Sequence, residues 1–184
     1  MKKLLSIILI LIFSLSLFSC ASVSDEEAIE IVKDLVSRSE KLNEIYYGKG
    51  LSYDPESEVE GSGYFTVAED APYRTKSELI SETRGVFSEE MAANIITVYF
   101  DGAESYDVPL YARYITGLDG YLTVKADYKN PVQSVYKYDY STIKLTKNTR
   151  NKIKAEITTV DGSETVTVEL VNEDNGYRID SPTY

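Results

Sequence analysis

Few residues in this chain have side chains that could carry out chemistry. Its 184 residues contain no histidine, one cysteine (Cys20), 30 aspartates and glutamates, and 16 tyrosines. Without histidine, the chain itself cannot supply a Ser-His-Asp or Cys-His catalytic unit, or a zinc site with imidazole ligands. A single cysteine also excludes an intramolecular disulfide. The remaining candidates are the Cys20 thiol, the carboxylates and the phenol rings.

The sequence around Cys20 predicts export and lipidation. Cys20 follows two lysines and an apolar run over residues 4–18, which is typical of a secretory signal and too short for a spanning helix. Residues 17–21 resemble the bacterial lipobox, in which the cysteine is linked to diacylglycerol; the alternative is a secreted protein with an incidental cysteine. We predict three parts on the extracytoplasmic face of the cell membrane: a lipoprotein signal peptide at 1–19, the lipidated Cys20 with a short tether at 20–24, and a single domain at 25–184.

The charge is strongly negative and uneven along the chain. The formal charge of −11 argues against nucleic-acid binding, and loss of Lys2 and Lys3 with the signal peptide would make it −13. Anionic lipids repel such a domain, so the acyl chains would have to hold it at the membrane. Residues 52–108 contain 13 acids and three bases, whereas residues 129–154 contain seven bases and one acid. Two explanations fit this pattern. In the first, the acids solvate loops and the lysines protect strand edges from aggregation; in the second, the molecule presents an acidic face to a basic partner.

The carboxylates do not form a recognisable catalytic or metal-binding motif. The sequence has no phosphate-binding loop, dinucleotide-binding glycine pattern or Gly-x-Ser-x-Gly elbow. Residues 172–176 lack the spaced aspartates of a calcium loop, so a hairpin turn is the better interpretation. Nothing singles out one carboxylate pair of the glycosidase type. We predict that the protein is not an enzyme and has no catalytic residues, no metal ligands and no cofactor.

The tyrosines are the other unusual feature of the composition. Tyrosine offers rigid contact area with a polar tip, which suits recognition surfaces, although most single tyrosines also fit a core or its margin. Segments 53–63 and 101–109 combine acids, aromatics and turn residues and depart from plain strand patterning. We predict a partner-binding surface in or just beside these segments, with the following candidate residues: Tyr53, Glu56, Glu58, Asp101, Glu104, Tyr106, Asp107 and Tyr111.

Helical patterns occupy the first half of the domain. Apolar residues recur at helical spacing over 25–46, after a capping box formed by Ser24 and Glu27. A second capping box, Thr75 with Glu78, opens a short helix, and Ser88 caps a third; we expect these two to form a bent pair around Gly85. Residues 52–63 are predicted to be an acidic loop, and residues 64–67 a short strand.

From about residue 103 the apolar period changes to two, which indicates strands. Alternation covers residues 121–128, 136–145, 153–157, 166–170 and 177–179, with turns predicted at 147–149, at Asp161-Gly162 (a tight hairpin) and at 172–176. Helices that precede strands indicate the α+β class: a long N-terminal helix and a short helical pair packed against one curved antiparallel sheet.

Several short stretches resemble one family. They are Asp25–Ile29, Tyr64–Val67, Tyr73–Leu79, Phe87–Ala92 and Gly176–Asp180. Together they are similar to the DL-endopeptidase inhibitor family of Gram-positive bacteria, or to related bacterial lipoproteins with cystatin-like or nuclear-transport-factor-like folds. The inhibitor resemblance implies a small exported protein that binds NlpC/P60 cell-wall hydrolases and blocks their active-site groove. The resemblance assigns an inhibitory role to no individual residue of this chain.

These observations lead to one main hypothesis and two alternatives. The main hypothesis is a monomeric, membrane-anchored lipoprotein that binds and inhibits a peptidoglycan DL-endopeptidase of the NlpC/P60 type. The first alternative is a ligand-binding lipoprotein with a tyrosine-lined pocket for a small molecule or cell-wall fragment. The second is a purely structural envelope lipoprotein.

Overall fold

The structure of the protein, a computed structural model, describes residues 22–105, 108–110, 112–129, 135–173 and 176–184. The predicted signal peptide and lipid attachment at Cys20 lie outside the described residues, as do three candidate contact residues: Tyr106, Asp107 and Tyr111. Within the described ranges, no helix combines the length and the apolar character needed to cross a membrane.

The first helix, α1 (Asp25–Tyr46), confirms the predicted long helix. The Ser24 hydroxyl accepts a hydrogen bond from the Glu27 backbone N–H at 3.2 Å. Three acidic side chains in the first turn interact favourably with the positive end of the helix dipole. One face of α1 is buried along its whole length, through Ala28, Val32, Leu35, Val36, Leu42, Ile45 and Tyr46. This apolar stripe makes α1 the central support of the fold.

The predicted short helices also form, as α2 (Lys76–Val86) and α3 (Glu89–Ile96). Thr75 and Glu78 make both bonds of the capping box at the start of α2. The predicted bend at Gly85 is wrong, because α2 continues through that residue and ends at extended Phe87. A Cβ at Gly85 would lie 3.0 Å from the Arg38 guanidinium, so glycine allows α2 to approach α1 closely. A π-helical turn (Thr97–Asp101) continues α3.

The strands form two four-stranded antiparallel sheets instead of one. The first sheet contains β1 (Tyr53–Glu58), β2 (Tyr64–Val67), β5 (Tyr114–Thr116) and β6 (Leu122–Lys125) in the order β1-β2-β6-β5. The second contains β7 (Tyr138–Thr149), β8 (Lys152–Thr159), β9 (Thr165–Glu173) and β10 (Gly176–Ile179) in the order β10-β9-β8-β7. A small hairpin joins β3 (Ala103–Ser105) and β4 (Val108–Leu110). The protein therefore belongs to the α+β class, as predicted.

Three details of the strand prediction are wrong. Residues 53–58, predicted as loop, form β1 because they pair with β2. The turn predicted at 147–149 lies at Arg150 and Asn151, since β7 continues through Thr149. The connection around Asp161-Gly162 spans residues 160–164 and is longer than a two-residue hairpin, because the Asp161 carboxylate accepts bonds from Thr159 and Ser163 and closes a wider turn.

The second sheet packs against α1 with one face. Along β8, buried Ile153, Ala155 and Ile157 alternate with partly exposed residues. Strand β7 runs antiparallel to α1: Glu40 accepts a bond from the Tyr138 backbone N–H at 2.8 Å, and Asn148 donates to the Asp25 carboxylate at 2.8 Å. The β7–β8 pairing shifts register twice, between Asp139 and Lys144 and between Leu145 and Lys147, and such irregularities bend a strand, as expected for a sheet curved over a helix.

Candidate functional site

The predicted contact segment at 53–63 forms an exposed acidic edge, by which we mean β1 and the turn that follows it. Strand β1 is one of the two edge strands of the first sheet. Tyr53, Glu56 and Glu58 are all exposed on it, and the Tyr53 ring stacks on Phe65 with centroids 5.0 Å apart. Charged residues and Pro55 on an edge strand discourage pairing with other strands. The acidic edge therefore presents side chains to a partner and resists unspecific strand addition.

Local hydrogen bonds give the acidic edge a defined shape. The Asp54 carboxylate accepts a bond from the Glu56 backbone N–H at 2.9 Å, and the Glu58 carboxylate accepts one from the Gly63 N–H at 3.1 Å. The Ser57 hydroxyl donates to the Asp54 carbonyl and accepts from the Thr66 N–H, where the β1–β2 register shifts. These bonds fix the backbone while the acidic side chains stay exposed.

Lys125 supports the turn of the acidic edge from β6. Its ammonium group donates to the Ser62 carbonyl, lies 3.4 Å from the Asp127 carboxylate, and sits 5.1 Å above the centre of the Tyr64 ring. Four acids lie in the edge (Asp54, Glu56, Glu58 and Glu60), so its charge remains negative with Lys125 beside it. Such a surface suits a partner that carries basic groups.

Arg113, just before β5, and Tyr114, its first residue, hold the C-terminal end of α1; we call these two residues the helix-end clasp. The Arg113 guanidinium donates to the carbonyls of Tyr46 at 2.6 Å and Gly48 at 2.8 Å. The Tyr114 hydroxyl donates to the Ile45 carbonyl at 2.8 Å and accepts from the Leu51 N–H at 3.2 Å. The clasp thus satisfies carbonyls that a helix end leaves without partners, and it fixes the first sheet at that end of α1.

Arg113 is a buried cation with an unusual set of partners. Its side chain is 5% exposed, and among the described residues it pairs with no carboxylate. Its guanidinium carbon lies 5.4 Å from the centre of the Tyr128 ring and 5.8 Å from that of Tyr114. The negative end of the α1 dipole and these ring faces offset part of the desolvation cost.

Tyrosine rings cluster around the clasp and the end of α1. The closest ring pairs are Tyr47 with Tyr184, with centroids 4.0 Å apart, and Tyr46 with Tyr99, at 5.0 Å. Burial raises the pKa of Tyr114 to about 12 and also raises the pKa values of Tyr46, Tyr47 and Tyr99. These four phenols are neutral at physiological pH, and their rings are buried in the core.

A cavity of about 290 Å³ opens at the margin of this cluster. It is lined by Tyr47, Tyr99 and Tyr184 together with Met91, Asn94, Ile95 and Val98 of α3 and the turn after it. Its walls are mostly apolar and aromatic, with phenol groups and one amide as the polar groups. This is a small site that could hold a flat or weakly polar molecule.

Two of the remaining predicted contact residues, Asp101 and Glu104, lie in or just before the β3–β4 hairpin. Asp101 is exposed at the end of the π-helical turn, and Glu104 lies in β3. Tyr106, Asp107 and Tyr111 lie outside the described residues, so their relation to the acidic edge stays a prediction. In the described part of the chain, no group of three or more acids or cysteines could hold a metal ion.

Sequence reasoning missed the clasp and one further exposed feature, the β5–β6 turn with Leu118 at its tip. Both lie between residues 101 and 120, where the sequence analysis predicts no individual strand. An arginine next to a tyrosine carries no periodic signal, because the role of both residues depends on where α1 ends in space. Gly117 and the Asp119-Gly120 dipeptide were the available signs of a tight turn.

The comparisons with known proteins add no family. No protein-family model matches this chain, and no curated protein matches it.

Proposed function

We propose that this protein is a membrane-anchored extracytoplasmic lipoprotein that binds and inhibits a peptidoglycan DL-endopeptidase of the NlpC/P60 type. It acts by occupying a surface of the enzyme and does not catalyse a reaction. The sequence resemblance supplies the class of partner. The observation that carries the proposal is the exposed acidic edge at the far end of α1 from the proposed lipid anchor.

The long helix separates the two ends of the molecule. The N-terminal end of α1 lies beside Asn148, which also donates to the Val23 carbonyl at 2.9 Å. The proposed anchor, Cys20, precedes this end by only a few residues. At 1.5 Å per residue the 22 residues of α1 span about 33 Å, and the clasp fixes the first sheet at the opposite end. An anchored protein would therefore direct its acidic edge away from the membrane, toward the cell wall.

The charge of the acidic edge suits an enzyme groove lined by basic groups. Complementary charge speeds association and makes it sensitive to salt, because exposed charges are screened within about 10 Å at 0.1 M ionic strength. Inhibition by such a contact needs a rigid surface of complementary charge. It needs no nucleophile and no general base.

The direct test adds the protein, without its lipid, to an NlpC/P60 hydrolase and measures peptidoglycan release. We expect release to fall with increasing protein, and the inhibition to weaken at high salt. The double variant Glu56→Gln/Glu58→Gln should inhibit several-fold less at low salt. The matched control Glu26→Gln/Glu27→Gln removes two exposed acids from the other end of α1 and should inhibit like the unchanged protein. Undiminished release at saturating protein, across several such enzymes, would refute the proposal.

A second function is favoured by the tyrosine-lined cavity. Such a site could bind a small molecule or cell-wall fragment by ring stacking. Titration with soluble muropeptides, followed by tyrosine fluorescence, would test this alternative. Saturable quenching that is lost in Met91→Arg, and kept in the distant control Val160→Arg, would support it. A linear response in the unchanged protein would remove it.

A further inference from the structure

The turn of the acidic edge has an unfavourable backbone conformation at its tip. The Val59 carbonyl accepts from the Ser62 N–H at 2.9 Å, and the Val59 N–H donates to the Tyr64 carbonyl at 2.9 Å. The two residues between Val59 and Ser62 both have a positive φ, +44° at Glu60 and +71° at Gly61, as in a type I′ turn. Asparagine or glycine usually occupies the first of these positions, so a glutamate there is strained. Such strain persists only where neighbouring contacts hold the backbone in place.

Lys125 of β6 supplies such contacts. Its side chain is only 17% exposed, and its ammonium group donates to the carbonyl of Ser62, the last residue of the tight turn. The same ammonium lies 3.4 Å from the Asp127 carboxylate and 5.1 Å from the centre of the Tyr64 ring. Charge-assisted hydrogen bonds are stronger than neutral ones, and the ring face also attracts a cation. The ammonium group therefore joins the turn of the acidic edge to the neighbouring interior of the first sheet.

Gly63 leaves the space that this ammonium group occupies. A Cβ at Gly63 would lie 2.8 Å from the Lys125 Nζ, which is too close for two atoms that are not bonded. The Gly63 carbonyl also accepts from the Ala126 N–H at 3.1 Å, directly beside Lys125. Gly61 has almost the same φ as Gly63, +71° against +72°, but a Cβ at Gly61 would meet nothing within 4 Å. Both glycines relieve backbone strain, and of the two only Gly63 makes room for Lys125.

From these contacts we infer that Lys125 is a positioning residue, whose ammonium group, packed against Gly63, holds the turn of the acidic edge in the conformation that binds the partner. The inference rests on the proposed function for the identity of the partner, whereas the support of the turn is measurable without one. Charge alone predicts the opposite role. Lys125 is a cation beside four acids, so its removal should strengthen attraction to a basic groove. Positioning predicts weaker binding, because a released turn has to be ordered again when the partner binds.

The first measurement is amide hydrogen exchange of the full chain in lipid nanodiscs, without a partner. Lys125→Met removes the ammonium group and keeps a long side chain, and we expect residues 59–64 to exchange about 10-fold faster. Gly63→Ala should have a similar effect, because the flexible end of Lys125 moves away from a new Cβ more readily than backbone does. The matched control is Gly61→Ala, which imposes the same backbone strain without touching Lys125 and should accelerate exchange less. Exchange in Lys125→Met equal to that of the unchanged protein, or in Gly63→Ala equal to that of Gly61→Ala, would refute the support of the turn.

The second measurement is the Kd of each variant for an NlpC/P60 hydrolase at low salt. We expect Lys125→Met and Gly63→Ala to bind several-fold more weakly, although Lys125→Met makes the acidic edge more negative. Treatment of Lys125→Cys with 2-bromoethylamine restores an ammonium group at the same reach and should restore both the exchange rates and the Kd, with the unchanged protein treated in the same way as the control.

The outcomes separate the positioning role from the proposed function. If the unchanged protein binds the hydrolase and Lys125→Met binds equally well or more tightly, only the positioning role is refuted. If the unchanged protein binds no hydrolase, the proposed function fails and the positioning role fails with it, whereas the support of the turn stands or falls with the exchange rates.

Discussion

The helix-end clasp allows a sharp test of how the first sheet is held. Replacement of Tyr114 by phenylalanine keeps the ring and removes only the hydroxyl, which donates to the Ile45 carbonyl and accepts from the Leu51 N–H. A net hydrogen bond contributes about 0.5–1.5 kcal/mol, and a buried group left without its partner costs more. Since Tyr114 is fully buried and Leu51 nearly so, we expect Tyr114→Phe to lower the free energy of unfolding by about 2–3 kcal/mol.

Tyr138 provides a matched control for this change. Its ring is also buried, but its hydroxyl has no hydrogen-bond partner among the described residues. Tyr138→Phe should therefore be neutral, or stabilise the protein by up to about 1 kcal/mol, because a buried polar group without a partner is unfavourable.

Thermal and urea unfolding followed by circular dichroism would measure both variants. For a domain of this size, 2–3 kcal/mol corresponds to a fall in Tm of about 5–10 °C for Tyr114→Phe, with no fall for Tyr138→Phe. Equal effects of the two substitutions would refute the reasoning, since the hydrogen bonds of the clasp would then contribute nothing beyond burial of the ring.

Three further predictions concern pH, capping and the anchor. Burial raises the pKa of Tyr114 and of Tyr140 to about 12, whereas the same phenols ionise near 10 in the unfolded chain. Above about pH 10 the unfolded chain therefore holds fewer protons, so these phenols should leave stability unchanged below that pH and lower it from there to about pH 12; urea midpoints that stay flat between about pH 10 and 12 would contradict this. Thr75→Ala removes the hydroxyl that accepts from the Glu78 N–H and should cost about 1 kcal/mol in urea unfolding, whereas no change would mean that the capping box adds nothing. Cys20→Ala should move the protein out of the membrane fraction, and a variant that stays there would disprove the lipid anchor.

Local sequence signals predict the helices well because each depends on nearby residues. Ser24, Thr75 and Ser88 all accept a bond from a backbone N–H in the first turn of the helix that follows. The apolar stripe of α1 and the alternation along β8 likewise need only a period and a buried face. These signals were enough to predict the α+β class.

The first sheet was not predictable in the same way. Tyr53-Asp54-Pro55-Glu56-Ser57-Glu58 has poor strand propensity, and it forms β1 because β2 offers a free edge and Ser57 bridges the irregular register. Strand β2 in turn pairs with β6, far along the chain, through Tyr64 with Lys125 and Phe65 with Val124. Such pairings depend on tertiary structure. As a result, the structure places Tyr53, Glu56 and Glu58 exposed on a strand, whereas the sequence pattern predicts a loop there.

The clasp and the Leu118 turn have the same physical explanation. The roles of Arg113 and Tyr114 exist only because the last carbonyls of α1 point at β5. Leu118 would be expected in a core from its type alone, and it is exposed because the glycines around it close a tight turn. A sequence pattern cannot show which apolar residue the fold leaves outside.

Hydrogen exchange of the complex with an NlpC/P60 hydrolase tests the central claim most directly, because it reports where the protein is covered. We predict slower exchange at residues 53–63 when the enzyme is bound, with residues 138–179 unchanged. Protection confined to the second sheet, or no protection with saturating enzyme, would contradict binding through the end of the molecule that carries the acidic edge.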